Sequence, residues 1–321
     1  IGNHVTGFSV GDRVMAGHRP GGFSEETVVA ADRLIAVPAA MSFEEAAGFR
    51  SAFITAYHGL LQGGRLQSGE TALILGAGGG MGHAAVQVAK RLGATVIALA
   101  GGKEKLAALQ YLGADHVLDY RDGFRDQVKA LTDGRGIDVA FDPVGGDAFD
   151  ETMRCLAWGA RIVVVGFTSG RRAVAKTNHL LIKGASVTGV RAGEFSRRNP
   201  EASQRNLKTL LGWASAGDIH THISHRFPLE IHLWTSFTIF STQGWAMQAA
   251  MSFAVHWPGG NTTSGWSLFF QKMRSPFFCI AAKRSPRART RAPLKVPASA
   301  RVKAAQWGDP WARTRAPMTA A

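Results

Sequence analysis

The run Gly76-Ala-Gly-Gly-Gly-Met-Gly82 is the strongest chemical signal in the chain. It follows the apolar stretch Thr71-Ala-Leu-Ile-Leu75 and opens an amphipathic stretch reaching Lys90. That pattern predicts a strand, a tight turn and a helix start. The first N–H groups of a helix lack intrahelical partners and lie at the positive end of its dipole, so they attract phosphate. Glycine lets a pyrophosphate approach the backbone and lets the helix pack close to the strand. Gly79, Gly80, Met81 and Gly82 are therefore candidate pyrophosphate contacts. The spacing departs from a plain G-x-G-x-x-G, with Ala77 at the first position. A glycine cluster alone also fits a structural turn.

The flanking elements decide between those readings. Gly93–Leu99 reads as a second buried strand, followed by a helix over Lys103–Leu112. A strand at His116–Tyr120, a helix near Phe124–Leu131 and a strand at Ile137–Asp142 come next. After another helix, Ala160–Gly166 reads as a further strand. Strands alternating with helices predict a doubly wound parallel sheet, the setting of a dinucleotide site.

The second strand tests which nucleotide fits. An NAD site usually places Asp or Glu there, about 20 residues past the glycines, to hold the ribose hydroxyls. Here Ala98-Leu-Ala-Gly-Gly102 carries no acid, and Lys103 and Lys105 follow at once. A missing carboxylate and a nearby cation favour a 2′-phosphate, hence NADPH. Lys105 is the candidate phosphate contact. Both lysines also fit the reading of solvated residues at a helix start.

Several segments in fixed order carry a resemblance. They are Val10-Gly-Asp-Arg-Val14, Gly21-Gly-Phe-Ser-Glu25, Leu34-Ile-Ala-Val-Pro38, Thr55-Ala-Tyr-His58, the glycine run, Leu112-Gly-Ala-Asp-His-Val117 and Asp142-Pro-Val-Gly-Gly146. From about Asn3 to Glu230 the chain resembles zinc-independent quinone oxidoreductases of the medium-chain dehydrogenase/reductase superfamily. The resemblance implies an α/β fold: a doubly wound parallel-sheet Rossmann domain plus a GroES-like β domain, incomplete here. It implies boundaries at 1–45 (GroES-like remnant), 46–192 (Rossmann domain), 193–230 (return segment) and 231–321 (an atypical basic tail). It further implies that Gly101, Lys105 and Tyr120 surround the adenosine end of the cofactor. Thr55, Val144, Gly166 and Phe167 would line the nicotinamide end. Tyr120 fits equally a strand-end aromatic packed on the sheet. The family has further catalytic-domain residues ahead of the point where this sequence starts, so the chain by itself is expected to bind NADPH with little turnover. The family also continues past Glu230 with a helix and a strand returning to the catalytic domain, and neither is legible here.

Charge is unevenly spread. The formal net charge is +14, but residues 231–321 hold 12 of the 37 basic residues and one of the 23 acids. The first 230 residues are nearly neutral, which argues against nucleic acid as a partner. The tail also holds six of the eight tryptophans, no charged residue between Ile231 and Gln271, and Ala-Arg-Thr-Arg-Ala-Pro twice. It lacks regular periodicity and is expected to be disordered; its composition matches a frameshifted or read-through frame. A basic nucleic-acid arm, a membrane anchor and an oligomerisation tail are the alternatives. Leu233–Phe253 is interrupted by Thr, Ser, Gln and Gly, well short of a continuous apolar span.

Metal chemistry has little support in the sequence. No cysteine precedes Cys155, and Val14 runs through a short loop to Phe23, without the cysteine-rich lobe of zinc alcohol dehydrogenases. His220-x-His222-x-x-His225 is the one histidine cluster; in a strand His220 and His222 would share a face. Cys155 and Cys279 form no disulfide framework, Cys155 is expected on a helix against the sheet, and a cytoplasmic location is the default. Tyr57 and His58 neighbour Thr55 and are weak proton-donor candidates; a helix packing between the domains is the favoured reading of both. The expected activity is NADPH-dependent reduction of quinones or α,β-unsaturated carbonyls, with a small-molecule substrate, no membrane partner and room for a homodimer. The alternatives are an enoyl-thioester reductase, a zinc-type alcohol dehydrogenase, and a non-catalytic NADPH-binding structural protein.

Overall fold

The computed structural model describes residues 1–2, 4–17, 22 and 26–226, and the backbone of three later strands, 252–255, 266–272 and 278–284. The rest of the tail, and the motif at 21–25 apart from Gly22, lie outside the described residues.

A small antiparallel sheet comes first. Its strands β1 (Val14–Gly17) and β2 (Leu34–Ala36) pair with Met15 opposite Ile35. Helix α1 (Phe43–Tyr57) follows. Its start is fixed by a capping box: Ser42 Oγ accepts the Glu45 N–H at 3.2 Å, and Glu45 Oε2 accepts the Ser42 N–H at 2.8 Å. A wider helical turn, His58–Gly63, extends α1.

The main sheet then alternates with helices: β3 (Thr71–Ile74), α2 (Gly80–Arg91), β4 (Thr95–Ala100), α3 (Lys103–Tyr111), β5 (His116–Asp119), α4 (Arg125–Leu131) and β6 (Ile137–Asp142). It continues with α5 (Gly146–Thr152), β7 (Leu156–Val164), α6 (Thr177–Lys183) and β8 (Ser186–Gly189). All six strands are parallel, in the order β5-β4-β3-β6-β7-β8. This is the expected doubly wound sheet. Its winding reverses between β3 and β6, which opens a crevice at their carboxyl ends. Helices α7 (Ala192–Arg198) and α8 (Pro200–Ser215) occupy most of the described part of the expected return segment.

Strand alternation splits the core into two layers. Ala72, Ile74, Val96, Ala98, Val139, Phe141 and Val163 face the α1/α2 side, with Phe53, Leu60 and Val86. Leu73, Leu75, Ile97, Leu99, Ala140 and Ile162 face the other side, with Phe124, Val128 and Phe149. Burial on both faces explains why β3 and β4 read as continuous apolar runs.

Two details correct the sequence reading. Cys155 is buried, but it lies in the turn between α5 and β7 and not on a helix. Within the tail, β9 (Ser252–Val255) pairs antiparallel with β1, and β10 (Trp266–Lys272) pairs with β11 (Phe278–Arg284). A strand therefore does return to the N-terminal sheet, and the tail is not devoid of regular elements.

Candidate cofactor site

The glycine turn is built as its chemistry requires. Gly76 has φ +60°, and Gly79 caps α2 with extended backbone and no side-chain cap. The first N–H groups of α2 are thus left for a ligand. A Cβ at Gly82 would overlap the Ala77 Cα and the Gly76 carbonyl oxygen and lie 2.7 Å from the Ala77 carbonyl carbon. Close packing of helix on turn therefore requires glycine there. A Cβ at Gly80 would meet nothing within 4 Å, so the space in front of the helix start is open. A tight support under an open cradle fits a pyrophosphate.

Apart from Thr55, which lies on α1, the remaining sequence-derived residues follow the carboxyl ends of the sheet strands. On one side, Lys105 on α3 reaches back to the turn: a Cβ at Gly78 would lie 2.8 Å from its Cδ and 3.2 Å from the Ala100 Cβ. Burial lowers the Lys105 pKa from its usual value. Tyr120 begins a short turn after β5, half-exposed, with its ring 3.2 Å from where a Gly101 Cβ would stand. Tyr120 thus packs beside Gly101 at the rim of the sheet, a placement that fits either expected role.

On the other side of the crevice, the loops after β6 and β7 meet. The Val144 side chain lies 3.0 Å from a Cβ built at Gly76, which brings it across to the glycine turn. A Cβ at Gly166 would sit 3.2 Å from the Pro143 carbonyl oxygen, and one at Gly145 would sit 3.1 Å from the Phe167 Cδ1. Phe167 is 46% exposed. The buried Asp142 holds this loop: its Oδ1 accepts the Val144 and Gly145 N–H groups at 2.7 and 2.8 Å. Burial raises its pKa, and those two hydrogen bonds oppose the rise. Thr55 is half-buried on α1, one turn before Gly59, which rests on Phe141 and Val163.

Tyr57 and His58 turn toward neighbouring helices. Tyr57 meets Trp213 of α8 edge-on with centroids 5.5 Å apart. His58 stacks on Phe195 of α7 at 3.9 Å, with Nδ1 3.1 Å from Gln62 Oε1. The packing role accounts for both.

Two features of this region escaped the sequence. The first is an acid beside the end of β4. Asp119 lies opposite Ala100 in the β4–β5 register, and its Oδ2 accepts the Gly102 N–H at 3.2 Å. Arg121 grips the same carboxylate and holds its pKa well below the usual range. The second is that His83 of α2 joins the histidines of the 220–225 cluster. The return segment is irregular at 220–226, so His220 and His222 do not share a strand face. His222 instead meets the buried His83 of α2 edge-on, with centroids 4.8 Å apart. They line a cavity of about 150 Å³ with Gly48, Ser51, Gly80 and Thr221. Among the described residues, no group of three or more His, Cys, Asp or Glu side chains is arranged to hold a metal. None of the described helices is long and apolar enough to cross a membrane.

His83 yields a pH prediction. Burial, aided by the nearby His222, His220 and Lys105, lowers its pKa to about 4. The unfolded chain, near 6.5, binds the proton more readily. Stability is therefore full above pH 6.5 and is lost as pH falls toward 4. The His83 share is about 2 kcal/mol between pH 7.5 and 5. Urea unfolding at both pH values should show His83→Leu losing correspondingly less stability than wild type. Equal losses would remove His83 as the cause.

Comparisons with known proteins bear on the fold and the family. A family model described as zinc-binding dehydrogenase matches residues 80–208. The chain is 38% identical over 234 residues to a quinone oxidoreductase-like protein 2 homologue of Nematostella vectensis, covering 72% of this chain and 64% of that protein. It is 34% identical over 232 residues to a quinone oxidoreductase of Pseudomonas aeruginosa, covering 71% of each. Among solved structures, Escherichia coli quinone oxidoreductase complexed with NADPH superposes with a TM-score of 0.69 at 27% identity, covering 80% of this chain and 78% of that one. The chain thus spans a little under two thirds of its Nematostella relative. With a relative 34% identical and matched over 71% of its length, and with the sheet order of the fold, the chain belongs to the quinone oxidoreductase-like family of the medium-chain dehydrogenase/reductase superfamily.

Proposed function

We propose that this protein is an NADPH-dependent reductase that delivers hydride to quinones or α,β-unsaturated carbonyls without zinc. One observation carries the reading. A phosphate cradle with a lysine beside it lies on one side of the crevice between β3 and β6, and an apolar, partly exposed wall of Val144, Gly166 and Phe167 lies on the other. That spacing suits an extended dinucleotide with its phosphates on α2 and its ring against the wall. Two relatives are consistent with the substrate class: the Pseudomonas quinone oxidoreductase and a 2-haloacrylate reductase of a Burkholderia species, 32% identical over 242 residues.

Bound NADPH supplies the hydride. The chain's own part is to orient and shield. Gly79, Gly80, Met81 and Gly82 would bind phosphate through backbone N–H groups, and Gly101, Lys105 and Tyr120 would surround the adenosine end. Val144, Gly166 and Phe167, with Thr55 of α1, would line the nicotinamide end and exclude water there. Proximity and a dry, fixed geometry are large contributors to such reactions. Activated double bonds need no Lewis acid, because the incoming charge spreads onto oxygen. The zinc-free reading rests on the short loop after Val14 and on the lack of any cysteine before Cys155. A soluble small-molecule reductase of the cytoplasm is the setting that this reading favours.

NADPH oxidation followed at 340 nm, using the full protein, tests the proposal. Whatever turnover the chain shows is expected to be at least about tenfold faster with a small quinone or an enone than with an enoyl thioester. Preference for the thioester would make the protein an enoyl-thioester reductase. NADPH binding with no turnover of any acceptor would leave a nucleotide-binding structural protein.

A further inference from the structure

We propose that Asp119 and Arg121 form a charge pair that sets the protein's choice between phosphorylated and unphosphorylated ribose. This rests on the reading that an NADP-type dinucleotide lies along the carboxyl edge of the sheet. The end of β4 is where a carboxylate selects for paired ribose hydroxyls and repels a 2′-phosphate. By sequence that position is empty, Ala100-Gly-Gly102. In the fold it is filled from the next strand. Asp119 is the register partner of Ala100, and its carboxylate is bonded to the Gly102 N–H at 3.2 Å. An unaccompanied Asp119 would turn the site toward NADH.

Arg121 prevents this. Its Nε lies 2.9 and 3.1 Å from the two carboxylate oxygens, and its Nη2 lies 2.5 Å from Oδ2. The Arg121 backbone N–H donates to Oδ1 at 3.1 Å. The side chain of Asp119 is 19% exposed and that of Arg121 is 61% exposed, so the cation forms the outer, solvent-facing half of the pair. The residue between them is Tyr120, whose ring abuts Gly101, and Lys105 approaches from the α3 side. A 2′-phosphate at this rim meets a neutralised acid, a lysine and a guanidinium. Surface ion pairs contribute little to stability, so the pair's arrangement matters here for selectivity.

Dissociation constants for NADPH, NADH, adenosine 2′,5′-bisphosphate and 5′-AMP decide the matter, measured by calorimetry on wild type, Arg121→Ala, Asp119→Asn and the double variant. Arg121→Ala bares the acid and should lower the NADPH:NADH affinity ratio about tenfold or more. The ratio of the two adenosine probes should fall in parallel, since they carry the ribose end alone. Asp119→Asn keeps an acceptor for the Gly102 N–H and should raise both ratios, with the double variant near wild type. Ratios that stay within twofold in Arg121→Ala overturn the proposal. Should Asp119→Asn fail to fold, Arg121→Ala alone still decides. A wild type that binds NADH more tightly would overturn the NADPH reading itself, which is a separate outcome.

Discussion

Gly82→Ala should destabilise the protein by about 3 kcal/mol and weaken NADPH binding at least tenfold. The added Cβ would collide with backbone on the turn side, the Ala77 Cα and the Gly76 carbonyl oxygen, not with a side chain that could swing away. Helix α2 must lift from the turn after β3. Forced overpacking of this kind costs about 1–3 kcal/mol or more, and the displaced N–H groups no longer converge on phosphate. Gly80→Ala is the instructive partner. Its Cβ would meet no protein atom within 4 Å, so thermal stability should hold while the side chain fills the cradle and NADPH affinity falls. Urea unfolding and nucleotide titration of both variants separate the two roles. A Gly80→Ala protein that binds NADPH like wild type would place the phosphates elsewhere.

The contrast between these glycines shows what a sequence can disclose. The turn, and the strand at Ile137–Asp142 with its bounds, were legible because their signals are local: apolar runs, glycines and helix starts. Strand β7 begins earlier than the run at Ala160 suggests. Gly159 at φ +75° and the exposed Trp158 interrupt its pattern, and the ladder to β6 shifts register there. Asp119 was out of reach for a different reason. Its place beside Gly102 depends on which strands are neighbours and in what register, and no spacing along the chain encodes that. His83 reads as one more helix residue until the return segment lays His222 against it. The tail strands carry only short apolar runs, such as 266–270 and 278–282, which by themselves do not tell strand from helix.

Lys105→Ala should weaken NADPH binding about tenfold to a hundredfold and leave NADH binding nearly unchanged. The lysine stem passes beside Gly78 and the end of β4. From there the ammonium would reach a 2′-phosphate, and a charge-assisted hydrogen bond of this kind contributes about 1.5–3 kcal/mol. NADH offers it no such partner. Ala100→Asp should act in the same direction by adding a second acid opposite Asp119. Equal losses for both nucleotides in Lys105→Ala would assign the lysine a packing role and remove it from the selectivity of the site.

The wild-type protein's dissociation constants for NADPH and NADH, measured side by side at low and moderate salt, decide the NADPH assignment. NADPH should bind at least about tenfold more tightly, with the margin shrinking as salt screens the phosphate contacts. Equal affinities, or tighter binding of NADH, would contradict the assignment.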